Sequence, residues 1–155
     1  MSAETIFQLL NPSVALERRP DGYWASPTDL DVRGMATLML EHGVRLITLT
    51  AVPDSTGAYR VIYHWDVDGV VVNISVLVAG GRIASIADIL PAADWVEREI
   101  RDYYALEFGG RAETPTLMLR EGDEPGLFSR TCELGNECDP AETARQAVAA
   151  DSEGV

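Results

Sequence analysis

No lysine occurs anywhere in this chain, so all 12 of its basic side chains are arginine. That absence excludes a Walker-type phosphate lysine, a Schiff-base lysine and a lysine general base, because arginine stays protonated and serves as a planar clamp for carboxylates. Cysteine and histidine are nearly as scarce. Cys132 and Cys138, spaced C-x5-C, and the distant His42 and His64 fall short of the four clustered ligands that a structural zinc or iron-sulfur site usually needs. A disulfide between the cysteines is not expected in a reducing compartment. No apolar run approaches the ~20 residues that cross a bilayer, and no basic segment followed by an apolar stretch opens the chain. The expectation is a cytoplasmic protein that does not span a membrane. Glycine-rich phosphate cradles are missing too, since Gly80-Gly81 follows a strand pattern without a G-x-G-x-x-G frame.

Acidity is what the chain has in excess. Its net charge of -13 disfavours nonspecific binding to nucleic acid or anionic lipid, both of which carry the same sign. Partners are expected to be proteins with basic or neutral surfaces. At 155 residues the chain suits one domain with a true core, not two. Residues 1–21 read as a short helix at 3–10 and a connector holding Pro12 and Pro20, residues 22–110 as an α+β core domain, and residues 111–155 as an irregular acidic extension. Within that extension, 131–155 carries six acidic side chains against Arg145 alone, a composition expected to order only on a partner.

Period-two patterning predicts the sheet. In 44–52 one face is Val44, Leu46, Thr48, Thr50 and Val52 and the other Arg45, Ile47, Leu49 and Ala51. In 59–67 the set Tyr59, Val61, Tyr63, Trp65 and Val67 shares a face, and 70–78 repeats the pattern with valine and isoleucine. Only Asp68-Gly69 separates the last two, a type I′ hairpin signal that sets Val67 opposite Val70 and His64 opposite Asn73. Residues 22–25 suggest a short edge strand. A helix is expected at 28–42, capped by Thr28 and ended by Gly43, and a second at 93–106 after Pro91. The predicted fold is α+β: an antiparallel meander of three to four strands packed on helices, with an extended C-terminal tail.

The second helix carries dense alternating charge. At 100° per residue Val96, Ile100, Tyr103 and Tyr104 share one arc and Glu97, Arg98, Arg101 and Asp102 the opposite one. The spacing predicts a solvated face with i,i+4 pairs Glu97 to Arg101 and Arg98 to Asp102, each giving about 0.2–0.5 kcal/mol. Glu97, Glu99 and Asp102 do not read as an acid and base pair, because the interleaved arginines hold them ionised. His64 has no nucleophile with an orienting third group in reach, and its expected partner is Asn73. No catalytic, cofactor or metal residue is assigned.

Glu97-Arg98-Glu99, a hydrophobe, then Asp102 and Phe108-Gly109 resemble the C-subunit, or 30-kDa subunit, family of respiratory complex I and of related membrane-bound hydrogenases. The likeness continues upstream through 43–51, Tyr63-His64-Trp65 and 85–93, and covers roughly residues 22–130. Respiratory members usually carry glycine where this chain has Ala105, and Gly-His-Pro where it has Gly110-Arg111-Ala112, which tilts the likeness toward hydrogenase-type members. The resemblance implies a noncatalytic structural subunit that binds no cofactor. Iron-sulfur clusters and a quinone site or nickel-iron centre would then sit in partner subunits. Those partners would be a large catalytic subunit, of the complex I 49-kDa or hydrogenase type, and a small iron-sulfur subunit, at the cytoplasmic face of the cell membrane. Glu97, Arg98, Glu99, Arg101 and Asp102 are the docking residues it points to, with Glu99, at the border of the apolar arc, the one expected to be covered. The competing reading is a free-standing interaction module or regulator whose working part is the acidic tail.

Overall fold

The computed structural model describes residues 5, 6, 8 and 15–130. Most of the expected helix at 3–10, and all of 131–155 with Cys132 and Cys138, lie outside the described residues. The elements run β1 (Glu17–Arg19), β2 (Gly22–Ala25), α1 (Val32–Glu41), β3 (Arg45–Pro53), β4 (Tyr59–Val67), β5 (Val70–Val78), β6 (Arg82–Ala84), α2 (Ala93–Tyr104), β7 (Glu107–Gly109) and α3 (Leu127–Arg130). Five strands form one sheet in the order β1-β2-β5-β4-β3, and β6 pairs with β7 in a separate parallel ribbon. The expected α+β meander is β3-β4-β5, antiparallel throughout.

Turn chemistry set the hairpin register. Asp68 and Gly69 both adopt positive φ, 50° and 81°, as a type I′ turn demands, and Val67 pairs with Val70, Trp65 with Val72 and His64 with Asn73. The buried side chains of β4 and β5, Val61, Tyr63, Trp65, Val67, Val72 and Ile74, join Met35, Ala36 and Met39 of α1 and Ile100 of α2 in a single core. Each large apolar side chain so buried contributes about 1.5–3 kcal/mol of transfer free energy.

Three features depart from the pattern. In β3 neither expected face is buried as a set: the register shifts between Leu46 and Thr48, so Leu46, Leu49 and Ala51 all reach the core. A β-bulge adds one residue and flips the alternation beyond it. Asp31, not Thr28, caps α1, its carboxylate accepting from Arg33 N at 3.1 Å, and the helix starts at Val32. Gly43 ends it as expected: at φ +67° it lets Gly43 N reach Leu40 O at 3.0 Å and Val44 N reach Met39 O at 2.8 Å, a Schellman closure. The third departure is the edge strand, since β2 lies inside the sheet and runs parallel to β5, with β1 outside it.

Candidate docking site on the charged helix

Helix α2 ends at Ala105, which takes the left-handed conformation at φ 56° and donates its N–H to Arg101 O. Its charged arc does not face solvent. Glu97 and Asp102 are fully buried, which corrects the expected solvated face, and the cause is a stretch of the chain that carries no pattern of its own. Arg101 Nη1 donates to Thr114 O at 2.9 Å and Arg101 Nη2 to Pro115 O at 2.9 Å. Arg98 reaches Pro115 O and Thr116 O at 3.3 and 3.4 Å. The amides of Leu117 and Met118 donate to Asp102 Oδ2 at 2.6 and 2.8 Å. Residues 114–118 thus lie across the arc, their backbone groups satisfied by side chains where no ladder exists to satisfy them.

Glu97 closes the other end. Its carboxylate accepts from Ser85 Oγ at 2.6 Å, Ile86 N at 2.8 Å and Arg111 Nη1 at 2.9 Å, and Arg111 also binds Asp94. Burial pushes the Glu97 carboxyl above the ordinary carboxylate range, outweighing these donors. Asp102 balances the other way: burial raises it, but the Met118 and Leu117 amides and Arg101 together hold it below that range. The expected pairs Glu97 to Arg101 and Arg98 to Asp102 are replaced by Arg111 to Glu97, Arg98 to Asp94 at 3.5 Å and Arg101 to Asp102 at 2.9 Å.

Four of the five sequence-assigned residues are therefore engaged within the chain. Glu99 alone enters no ion pair or side-chain hydrogen bond with the described residues, and it is half-buried. Beside it Trp95 is 68% exposed. Trp95, Glu99 and Tyr103 stand four residues apart on one strip of the helix, and Tyr103 stacks on Phe128 with ring centroids 4.5 Å apart. Trp95 and Arg111 were not assigned to the site from sequence. The four-residue spacing was a signal for Trp95; Arg111 stood out only within Gly110-Arg111-Ala112, where respiratory relatives usually differ.

Elsewhere, His64 meets its expected partner: Nδ1 lies 2.6 Å from Asn73 Oδ1, Asn73 Nδ2 donates to Tyr23 O at 3.3 Å, and Nε2 meets Thr50 Oγ1. Since Asn73 Oδ1 only accepts, Nδ1 carries the proton. The histidine ties four strands together. Among the described residues no group of three or more His, Cys, Asp or Glu is placed to hold a metal ion, and no helix is long and apolar enough to cross a membrane.

Residues 29–126 match the family described as respiratory-chain NADH dehydrogenase, 30 Kd subunit. The fold is similar to a chain of the membrane-bound sulfane sulfur reductase, an archaeal respiratory membrane complex, at 19% identity over 88% of this chain and 90% of that one, with a TM-score of 0.68. It is also similar to Nqo5, in a trypsin-resistant fragment, at 18% identity over 74% of this chain and 100% of that one, with a TM-score of 0.61. Among curated proteins none matches. At such identities the structural likeness is one of fold, whereas the family match spans well over half of the chain and takes in the whole of α2 with the segment laid across it. The chain belongs to the family of the 30-kDa subunit of respiratory-chain NADH dehydrogenase, and is a subunit of a complex I-like respiratory complex.

Proposed function

We propose that the chain is a structural subunit without chemistry of its own, that it docks on the large catalytic subunit of the electron-transfer arm at the cytoplasmic face of the membrane, and that the strip Trp95, Glu99 and Tyr103 makes the contact. Clusters and the quinone site or nickel-iron centre belong, in this reading, to the partner subunits. The observation that carries it is the division of labour on α2. Glu97, Arg98, Arg101 and Asp102 are spent on holding residues 111–118, while an exposed tryptophan and a carboxylate with no ion pair among the described residues are left on the outer strip. Buried tryptophans dominate protein interfaces, and rim charges set orientation. Ala105 and Arg111, where respiratory relatives usually differ, favour a hydrogenase-type complex over an NADH enzyme.

Purification of the native complex through a tag on this chain tests the reading. The large subunit is expected to copurify with wild type. Trp95→Ala should weaken that association by about 30-fold, the equivalent of an interface hot spot worth about 2 kcal/mol. The lone chain should melt unchanged, since an exposed side chain contributes little to its core. Normal assembly of the variant would place docking elsewhere.

A further inference from the structure

From Ala112 to Phe128 the only buried residue is Gly126, and no side chain of that stretch belongs to the hydrophobic core. What fastens it to α2 is polar. The guanidinium groups of Arg98 and Arg101 hold the carbonyls of 114–116, Asp102 Oδ2 holds the amides of Leu117 and Met118, and Asp102 O accepts from Gly126 N at 2.9 Å. Phe128 adds an aromatic anchor on Tyr103 and Tyr104, with ring centroids 4.5 and 5.6 Å away, yet it is itself 50% exposed. The chain just upstream is held differently, because Arg111 pairs with Glu97, which is fully buried and also tied to Ser85 and Ile86. Releasing 112–130 would therefore uncover little apolar surface and exchange hydrogen bonds within the chain for bonds to water, while restoring conformational freedom to a long stretch. Segments with few buried apolar contacts open at a small fraction of the cost of unfolding the domain.

We propose that residues 112–130 are a strap that opens from α2 as a unit while the domain stays folded, and that a partner seated on the strip Trp95, Glu99 and Tyr103 holds the strap shut. The strap borders that strip. Its fastenings Arg98 and Asp102 each stand one helical turn from a strip residue, Trp95 and Glu99 respectively, and Phe128 stacks on Tyr103 itself. A partner covering the strip thus meets the strap in its closed position, and a preference for one position is what shifts such an equilibrium. By reciprocity, loosening the strap weakens docking. The opening stands on this chain alone; its closure by a partner rests on the docking reading.

Hydrogen exchange of the full chain, followed by amide over a series of urea concentrations below the unfolding transition, tests the opening. The amides of Leu117, Met118 and Gly126 are expected to be protected, but at least about 100-fold less than the slowest amides of β4 and β5, and with little dependence on urea. Exchange at the rate and urea slope of the core overturns the proposal, and so does no protection at all, since the fastenings would then not form. Asp102→Asn, which takes the charge from the acceptor of Leu117 and Met118, should speed those two amides about tenfold relative to the core; equal acceleration everywhere overturns it. Should that variant not fold, the wild-type urea series decides by itself. In the native complex the peptides spanning 112–130 should exchange about tenfold more slowly than in the free chain, and unchanged rates there overturn the closure. The two readings fail separately: if the large subunit does not copurify with wild type, the docking reading falls, while exchange in the free chain still decides whether the strap opens.

Discussion

Replacing Glu97 with alanine should be among the most damaging single changes available in this chain. The substitution removes a carboxylate that accepts from Ser85 Oγ, Ile86 N and Arg111 at 2.6–2.9 Å in a fully buried position. Breaking one side of a buried charge pair costs about 3–5 kcal/mol, and each orphaned buried donor about 1–3 kcal/mol. These terms overlap, because Arg111 keeps Asp94 and the site can relax. A net loss of about 4 kcal/mol is expected, against a total of about 5–15 kcal/mol for a domain. With a urea slope of about 2 kcal/mol per molar, the midpoint should fall by roughly 2 M at unchanged slope. Glu97→Gln, which keeps the shape and one good acceptor, should lose about half as much. A double-mutant cycle with Arg111→Met should return a coupling above about 1 kcal/mol. A loss below about 1 kcal/mol for Glu97→Ala, the size of an exposed ion pair, would refute the buried reading and return the helix to a solvated charged face.

The pH dependence should carry two opposite signatures. Because the folded Glu97 carboxyl is held above its ordinary range, its contribution is largest below the unfolded carboxyl's range and declines as pH rises through the folded value; urea curves across pH should show that decline in wild type and not in Glu97→Gln. Asp102, held below the ordinary range, contributes above the unfolded range and loses that contribution as pH falls through the folded value, so Asp102→Asn should flatten the acid limb. Ala105→Gly should raise stability by about 1 kcal/mol and the melting temperature by about 2–4 °C, since φ 56° is strained for alanine and free for glycine; an unchanged melt would mean the cap is not strained. Gly22→Ala should cost about 2 kcal/mol or more, as φ is +132° and the new Cβ would meet Val71 O at 2.3 Å, and a neutral result would mean β2 does not lie that close to β5.

Local rules were enough wherever a local rule decides the geometry. The β4–β5 register follows from a two-residue loop whose Asp-Gly pair accepts positive φ, and the partnership of His64 with Asn73 follows from that register. The end of α1 at Gly43 and the two long helices were legible for the same reason. Strands of three or four residues were not: β1, β6 and β7 are too short to show a period, and β2 could be seen as a strand but not as a parallel neighbour of β5. The bulge at Ile47 was hidden because the alternating pattern runs through it unbroken.

The charged helix divides the two levels most clearly. Its sequence determined that a helix forms, that one arc is apolar and that the other carries ions, because side-chain period and intrinsic propensity act within a few residues. Which of those ions meet water was decided only by the tertiary structure. Residues 111–118 have no periodicity, and their backbone polar groups need partners from outside the segment; Arg98, Arg101 and Asp102 supply them, and in doing so leave the surface. Burial of a polar face depends on what remote chain covers it, and nothing within the helix itself records that cover.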